Sequence, residues 1–358
     1  MIVAILNSRM GKAPFGKWIK NTFDAISEMA KQRHSICASI GLHNWEFPLY
    51  CISKCNAYAR IYVPDNFGDK DKENLMEEFR LFHENCEFVH IPVGKRKKEW
   101  WHRRDRQIFD DADIIYPVAI RPGGKLESLI KQMDYDVKKI NNSFRTEYIV
   151  PGWHLPQVPD SKEINPALKK FPWNYLTHWT HTAYAPWCNE SKYEFYQSVH
   201  SNDAEYSHSA YQGLRRILAD GKICSTQRKI RGNIDVVSFT EIPPEQAIFF
   251  MNWRKGLIRR YWEPYGIAID REIMLERGVK PVIYGDDELF EQLDNHTIPF
   301  FQPIRGKRYI WTEEREWRFL GDFDLPTIPK EKMIIITRTR KEADELHAEF
   351  GIKTVGMV

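Results

Sequence analysis

From Ile2 to Met133 short apolar runs alternate with amphipathic stretches of helical length, and this rhythm constrains the fold more than any other feature of the chain. Strand-like runs fall at Ile2–Asn7, Ser35–Ile40, Ala59–Val63, Cys86–Val93 and Asp113–Ile120. Helix-like segments follow them at Phe15–Ala30, Trp45–Cys55, Lys72–His83, Glu99–Phe109 and Lys125–Met133. A strand, a helix and a further strand make a crossover unit, which sets strands parallel and covers both faces of the sheet with helices. We therefore expect an α/β domain with a parallel, doubly wound sheet over residues 1–135. Such sheets take ligands beyond the carboxyl ends of their strands.

A chain of 358 residues is too long for one ordinary core. Residues 136–172 contain Pro151-Gly152, Pro156, Pro159-Asp160-Ser161 and Pro166 with no long periodic run, and read as a connecting segment. Residues 173–358 form a second domain, of α+β type. No apolar window is long enough for a membrane span. Met1–Ser8 lacks a basic region and a cleavage site and reads as a first strand, so we expect a cytoplasmic protein. Cys37, Cys51, Cys55, Cys86, Cys188 and Cys224 are scattered, and no second pair follows Cys51-x3-Cys55 at zinc-like spacing; buried, reduced thiols and no metal are expected. A net charge of +3 argues against a wholly basic nucleic-acid binder and leaves room for local patches.

One such patch is Lys95-Arg96-Lys97-Lys98, followed by Trp100, Trp101, His102, Arg103 and Arg104. Positive charge with interleaved aromatics suits contact with DNA or RNA. The same residues also suit a solvated helix start whose two Trp side chains pack on the sheet. Just beyond lie Arg104-Asp105-Arg106-Gln107-Ile108-Phe109-Asp110-Asp111-Ala112-Asp113 and Arg121-Pro122-Gly123-Gly124-Lys125-Leu126-Glu127. This pair of motifs resembles the "lonely guy" and DNA-processing-protein-A group of Rossmann-like nucleotide-binding domains. The resemblance implies a nucleotide site in which Arg104 meets phosphate, Gly123 and Gly124 let backbone amides approach it, and Glu127 holds a ribose hydroxyl. Lys125-Leu126 stands where that group carries Gly-Thr, which favours nucleotide binding or sensing over hydrolysis.

The second domain carries a denser constellation. Trp173–Thr180 is a strand candidate ending in His178-x-Thr180, and Ala210–Gly221 is an amphipathic helix with a glycine cap. Strand candidates follow at Lys222–Thr226, Val236–Pro243, Tyr265–Asp270 and Trp311–Phe319. The tail, Met333–Met357, reads as strand, helix and strand. On a strand Glu314 and Glu316 share a face, because side chains alternate with period two. Two carboxylates on one face can divide acid and base work between them.

The order His-x-Thr, Gly-Leu-x-x-Ile-Leu helix, Lys-Ile, Ser-Phe-Thr-Glu, Tyr-Gly-Ile and Glu-x-Glu-Trp-Arg resembles bacterial domains that end in Glu-x-Glu-Trp-Arg. Those domains are similar to ADP-ribosyltransferases, including the DNA-targeting toxins of toxin–antitoxin systems. The resemblance spans Trp173 to Pro326, with an insertion near Tyr184–Tyr206. It implies NAD as substrate, a macromolecular acceptor such as nucleic acid, and a part in bacterial defence. Glu316 is then the catalytic carboxylate and Glu314 its partner. His178, Thr180, Ser238, Thr240 and Arg231 are then the NAD-binding residues, with His178, assisted by Thr180, on the adenosine-side ribose or phosphate, and Ser238 and Thr240 holding the nicotinamide ribose or supporting the glutamates. Arg228 is a second phosphate candidate. Plainer readings stay open: His178 as a core histidine, His208 as the first-motif histidine, and the glutamates on an exposed strand face paired with Arg315 and Arg318. A nucleotide sensor without catalysis, or an NAD glycohydrolase using water, also fits this sequence.

Overall fold

Val3 and Ile5 of the first strand enter one hydrophobic core, and Ala4 and Leu6 enter another. A strand buried on both faces this way belongs to the middle of a sheet covered by helices. The computed structural model describes residues 1–9, 16–94, 97–132, 139–149, 157–169, 172–201, 206–227, 230–251, 253–254, 259–306 and 309–358. Lys95, Arg96 and Arg228, and part of the connecting segment, including Pro151, Gly152 and Pro156, lie outside these residues.

The first unit runs β1 (Ile2–Asn7), α1 (Lys17–Lys31), β2 (Ser35–Ser39), α2 (His43–Lys54), β3 (Tyr58–Pro64), α3 (Asp69–Phe79), β4 (Cys86–Ile91), α4 (Lys97–Asp111), β5 (Ile114–Ala119) and α5 (Lys125–Gln132). The strands form one sheet in the order β4-β3-β2-β1-β5, and every pairing is parallel. The expected α/β architecture is present. The chain steps outward from β1 to β4 and then crosses back to place β5 on the other side of β1. This reversal puts the switch point at the carboxyl ends of β1 and β5. Trp100 is buried and Trp101 half-buried against the sheet core, so the packing reading of the tryptophans holds.

Contacts divide the chain into Met1–Leu155 with Tyr184–Ser207, and Pro156–Ala183 with His208–Val358. Residues 184–207, assigned from sequence to the second domain, therefore belong with the first. The reason is α6 (Lys192–Ser201), whose Phe195, Tyr196 and Val199 are buried in the core that α1 and α2 share. Burying a side chain such as Phe195 contributes roughly 1.5–3 kcal/mol. Two polar ties fix the register: Tyr196 Oη donates to Glu46 Oε2 at 3.0 Å, and Lys192 Nζ donates to Glu46 Oε1 at 3.1 Å. Reduced cysteines hold for Cys37, Cys51, Cys55 and Cys86, which are free thiols, and do not hold for Cys188 and Cys224. Among the described residues no helix is long and apolar enough to cross a membrane.

The second unit is built on a seven-stranded sheet. In chain order its strands are β6 (Tyr175–Trp179), β7 (Val236–Thr240), β8 (Gly266–Asp270), β9 (Lys280–Pro281), β10 (Glu316–Leu320), β11 (Met333–Thr337) and β12 (Thr354–Gly356). The spatial order is β9-β10-β7-β6-β8-β11-β12, antiparallel except for the β11–β12 pair. Helix α7 (Ala210–Asp220) ends at Gly221 with φ +66°, the left-handed cap the sequence anticipates. The tail folds as expected into β11, α8 (Arg340–Phe350) and β12. Gly266 faces Trp179 across β8 and β6. A Cβ there would lie 2.9 Å from both the His178 carbonyl and the Trp179 ring, so glycine is what lets the two strands and that indole approach so closely.

Candidate active site

Strands β7 and β10 pair over five residues, as do β6 and β8, but β6 and β7 share only the pair Thr177–Thr240. Beyond that pair β6 and β7 part, and a cleft of about 200 Å³ opens between them. His178, Ser238, Thr240, Glu314 and Glu316 all line it, together with Trp179, Tyr261 and Trp262. Five of the seven residues assigned to catalysis or NAD binding, His208 and Arg228 being alternatives, thus converge on one place. None of the described residues lining the cleft is Lys or Arg. Two carboxylates and several aromatic side chains thus line one cleft.

Glu316 opens β10 opposite Thr240, and Arg318 stands opposite Ser238. Because positions two apart on a strand share a face, Glu316, Arg318, Ser238 and Thr240 lie together. Ser238 Oγ donates to Glu316 Oε1 at 2.6 Å. Arg318 grips the same carboxylate with two prongs, Nε to Oε1 at 2.9 Å and Nη2 to Oε2 at 3.1 Å. The Glu316 amide donates to Tyr284 Oη at 3.0 Å. These bonds fix the carboxylate in place, and Glu316 lines the cleft.

Glu314 reaches the cleft by another route, and here the strand argument needs correcting. Trp311–Glu314 is a turn of 3₁₀ helix, Arg315 has φ +42°, and β10 begins only at Glu316. The two glutamates share the cleft because the left-handed Arg315 swings the chain, not because a strand alternates. A non-glycine residue in that region is strained and persists only where its surroundings hold it. Here Thr240 Oγ1 donates to the Glu314 carbonyl at 2.6 Å, and the Glu241 amide donates to the Arg315 carbonyl at 3.4 Å. Glu314 is 4% exposed, and Tyr261 Oη donates to its Oε2. Ser238 and Thr240 therefore support the glutamates, the second of the roles left open for them.

His178 fills the place where β6 and β7 separate. Its Nδ1 donates to the Ser238 carbonyl at 2.9 Å, an acceptor that a continuous ladder would have given to a β6 amide. A carbonyl only accepts, so Nδ1 carries the proton and Nε2 is left as an acceptor in the neutral ring. Burial pushes the imidazole below its ordinary 6.5, against the smaller opposing pull of the Ser238 carbonyl. The folded state therefore binds this proton less readily than the unfolded chain. Its neutral form contributes stability in full above pH 6.5, and that contribution is lost as pH falls through the folded value. The unfolding midpoint of the wild type should fall more steeply below pH 6.5 than that of His178→Gln, whose amide can still donate to Ser238. Parallel curves for the two proteins would show that His178 does not titrate this way.

Two of the singled-out residues stay away from the cleft. Thr180 lies just past the end of β6, so the strand alternation no longer aims it. Its Oγ1 donates to the carbonyls of Ala210 and Tyr265, at 2.9 and 3.1 Å, tying β6 to the start of α7. Arg231 pairs with Asp287 and stacks on the Phe290 ring with its guanidinium carbon 3.7 Å from the ring centre. It is not placed to meet an NAD diphosphate in this cleft. His208 is buried ahead of the Ser209 cap of α7 and does not line the cleft either.

In the first unit the expected nucleotide site is closed on itself. Arg104 is 2% exposed, bonded twice to Asp105 Oδ1 and stacked between Trp45 and Trp100. Gly123 has φ +67°, as the Pro-Gly-Gly turn requires, but its amide donates to Glu127 Oε2 at 2.9 Å. Gly124 donates to the Arg121 carbonyl and closes the turn. The Glu127 carboxyl, held down in pKa first by the Gly123 amide and then by Lys131, occupies the amide that was expected to meet a phosphate. Glu127 thus caps its own helix and does not present a free carboxylate for a ribose.

The plainer reading that paired the glutamates with Arg318 holds for Glu316, although Arg318 is buried, Glu316 is largely so, and neither is on an exposed face. Two cleft residues were not visible in the sequence. Tyr261 and Trp262, four and three residues before Tyr265, carry no comparable signal. No protein-family model matches this chain, and no curated protein matches it at a significant level.

Proposed function

We propose that the second unit is an ADP-ribosyltransferase-like domain that binds the nicotinamide ribose end of NAD in the cleft between β6 and β7 and breaks the nicotinamide–ribose bond. The observation that carries this is the convergence of Glu316, Glu314, His178 and Ser238 on one aromatic-walled, acidic cleft. Nicotinamide in NAD is a planar cation, and carboxylates with Trp and Tyr faces suit it. As the bond breaks, its electron pair passes to the ring nitrogen and neutral nicotinamide leaves. The sugar carbon takes up positive charge beside the fixed Glu316 carboxylate, which needs no reorganisation to stabilise it. His178 Nε2 accepts a ribose hydroxyl. The acceptor then attacks the sugar carbon and gives its proton to Glu314.

A macromolecular acceptor, nucleic acid among them, suits a transferase of this kind. The 4% exposure of Glu314 favours a second reading, in which the acceptor is water and the protein is an NAD glycohydrolase. Nicotinamide release from NAD, followed with and without DNA or RNA, tests both. Release with labelled nucleic acid supports transfer, and release with free ADP-ribose alone supports hydrolysis. NAD binding without release would leave a nucleotide sensor.

A further inference from the structure

We infer that Arg318 is a positioning residue whose task is to hold the Glu316 carboxylate at the reacting carbon. This rests on Glu316 acting as proposed above. Arg318 is 1% exposed, and all five of its N–H groups are used. Nε and one Nη2 proton go to the two Glu316 oxygens. The other Nη2 proton goes to Gln302 Oε1 at 2.6 Å. Nη1 donates to the carbonyls of Pro299 and Phe301, at 2.9 and 2.8 Å.

A guanidinium so engaged has no donor left for a ligand, and Arg318 does not line the cleft. Stability does not explain it well either. Burying an ion pair costs desolvation that the attraction roughly balances, and well-packed apolar replacements often do as well. What the pair supplies is geometry. A planar fork on a carboxylate fixes both oxygens, where a lysine ammonium would leave rotation free. The fork is itself anchored by a carboxamide and two main-chain carbonyls from the Pro299–Gln302 segment. The Glu-Trp-Arg spacing then has one explanation throughout. Glu316 faces the cleft, Trp317 packs in the core of the opposite face, and Arg318 returns to the first face to hold Glu316.

The test compares wild type, Arg318→Met, Arg318→Lys and Gln302→Ala by steady-state nicotinamide release, NAD affinity from tryptophan fluorescence, and thermal unfolding. For folded Arg318→Met, kcat should drop about a hundredfold, the usual effect of misplacing a reacting group by about 1 Å, with KM and NAD affinity little changed. Arg318→Lys should recover part of that loss. If Arg318→Met does not fold, the other two variants decide. Each should lower kcat with KM unchanged, because the charge or the ion pair survives while the fork loosens. Wild-type kcat in every folded variant overturns the positioning role and leaves NAD cleavage standing. A wild type that releases no nicotinamide overturns both.

Discussion

Glu316→Gln should lower nicotinamide release by about 10²–10³-fold, the range seen when one preorganised electrostatic group is removed from a reacting centre. The substitution keeps the shape and removes the charge that faces the developing cation. It also disturbs the fork. Gln can still offer its carbonyl to Ser238 Oγ and Arg318 Nε, but its amide nitrogen then meets Arg318 Nη2 donor to donor. A lost partner of this kind costs about 1–3 kcal/mol. Arg318 keeps its three other acceptors, so the protein should melt earlier yet still fold. Glu313→Gln is the control, because Glu313 is exposed on the same turn and lies outside the cleft. Release unchanged in folded Glu316→Gln would remove the carboxylate from the mechanism. Equal loss in both variants would show that the turn was damaged and not the chemistry.

The first unit was legible almost element by element because its signal is local. The continuous apolar run of β1 and the amphipathic periods of α1 and α4 are properties of 6 to 15 consecutive residues. The cleft was legible only where strand alternation holds. Ser238 and Thr240 point as expected from β7, while Thr180 fails because β6 stops at Trp179. Arg231 was lost to Asp287 and Phe290, partners more than fifty residues away in sequence. Nothing in Thr312-Glu313-Glu314-Arg315 announces a left-handed arginine. That conformation is imposed by Thr240 and Glu241 from the neighbouring strand. The stretch 184–207 has an apolar face on α6, and such a face does not say which core it will enter. The Pro-Gly-Gly turn was read correctly as a turn. Its glutamate serves the turn's own amide, and sequence does not distinguish a carboxylate that caps from one that binds.

Glu314→Gln should separate bond cleavage from use of the acceptor. The two cleft carboxylates sit in different surroundings. Glu316 has its own arginine and a serine hydroxyl, so its carboxylate is held in position for an electrostatic role. Glu314 is deeper, held by the Tyr261 hydroxyl and by a backbone that depends on Thr240. A carboxylate kept from bulk water is suited to taking a proton when a nucleophile arrives, and removing such a base costs about 10²–10⁴-fold in the step it serves. Cleavage that runs ahead of attack does not need it. With nucleic acid present, Glu314→Gln should keep at least about a tenth of the wild-type nicotinamide release, roughly 1.4 kcal/mol of barrier at most, while ADP-ribose transfer falls about a hundredfold or more. Tyr261→Phe removes the hydroxyl from Glu314 and leaves the ring in the cleft wall, so it should weaken transfer in the same direction by a smaller factor. If Glu314→Gln loses release and transfer in equal proportion, the glutamates act as one unit and the division between them is wrong. If release survives and the ADP-ribose appears only as the free sugar nucleotide in wild type and variant alike, water is the acceptor and the cleft belongs to a hydrolase.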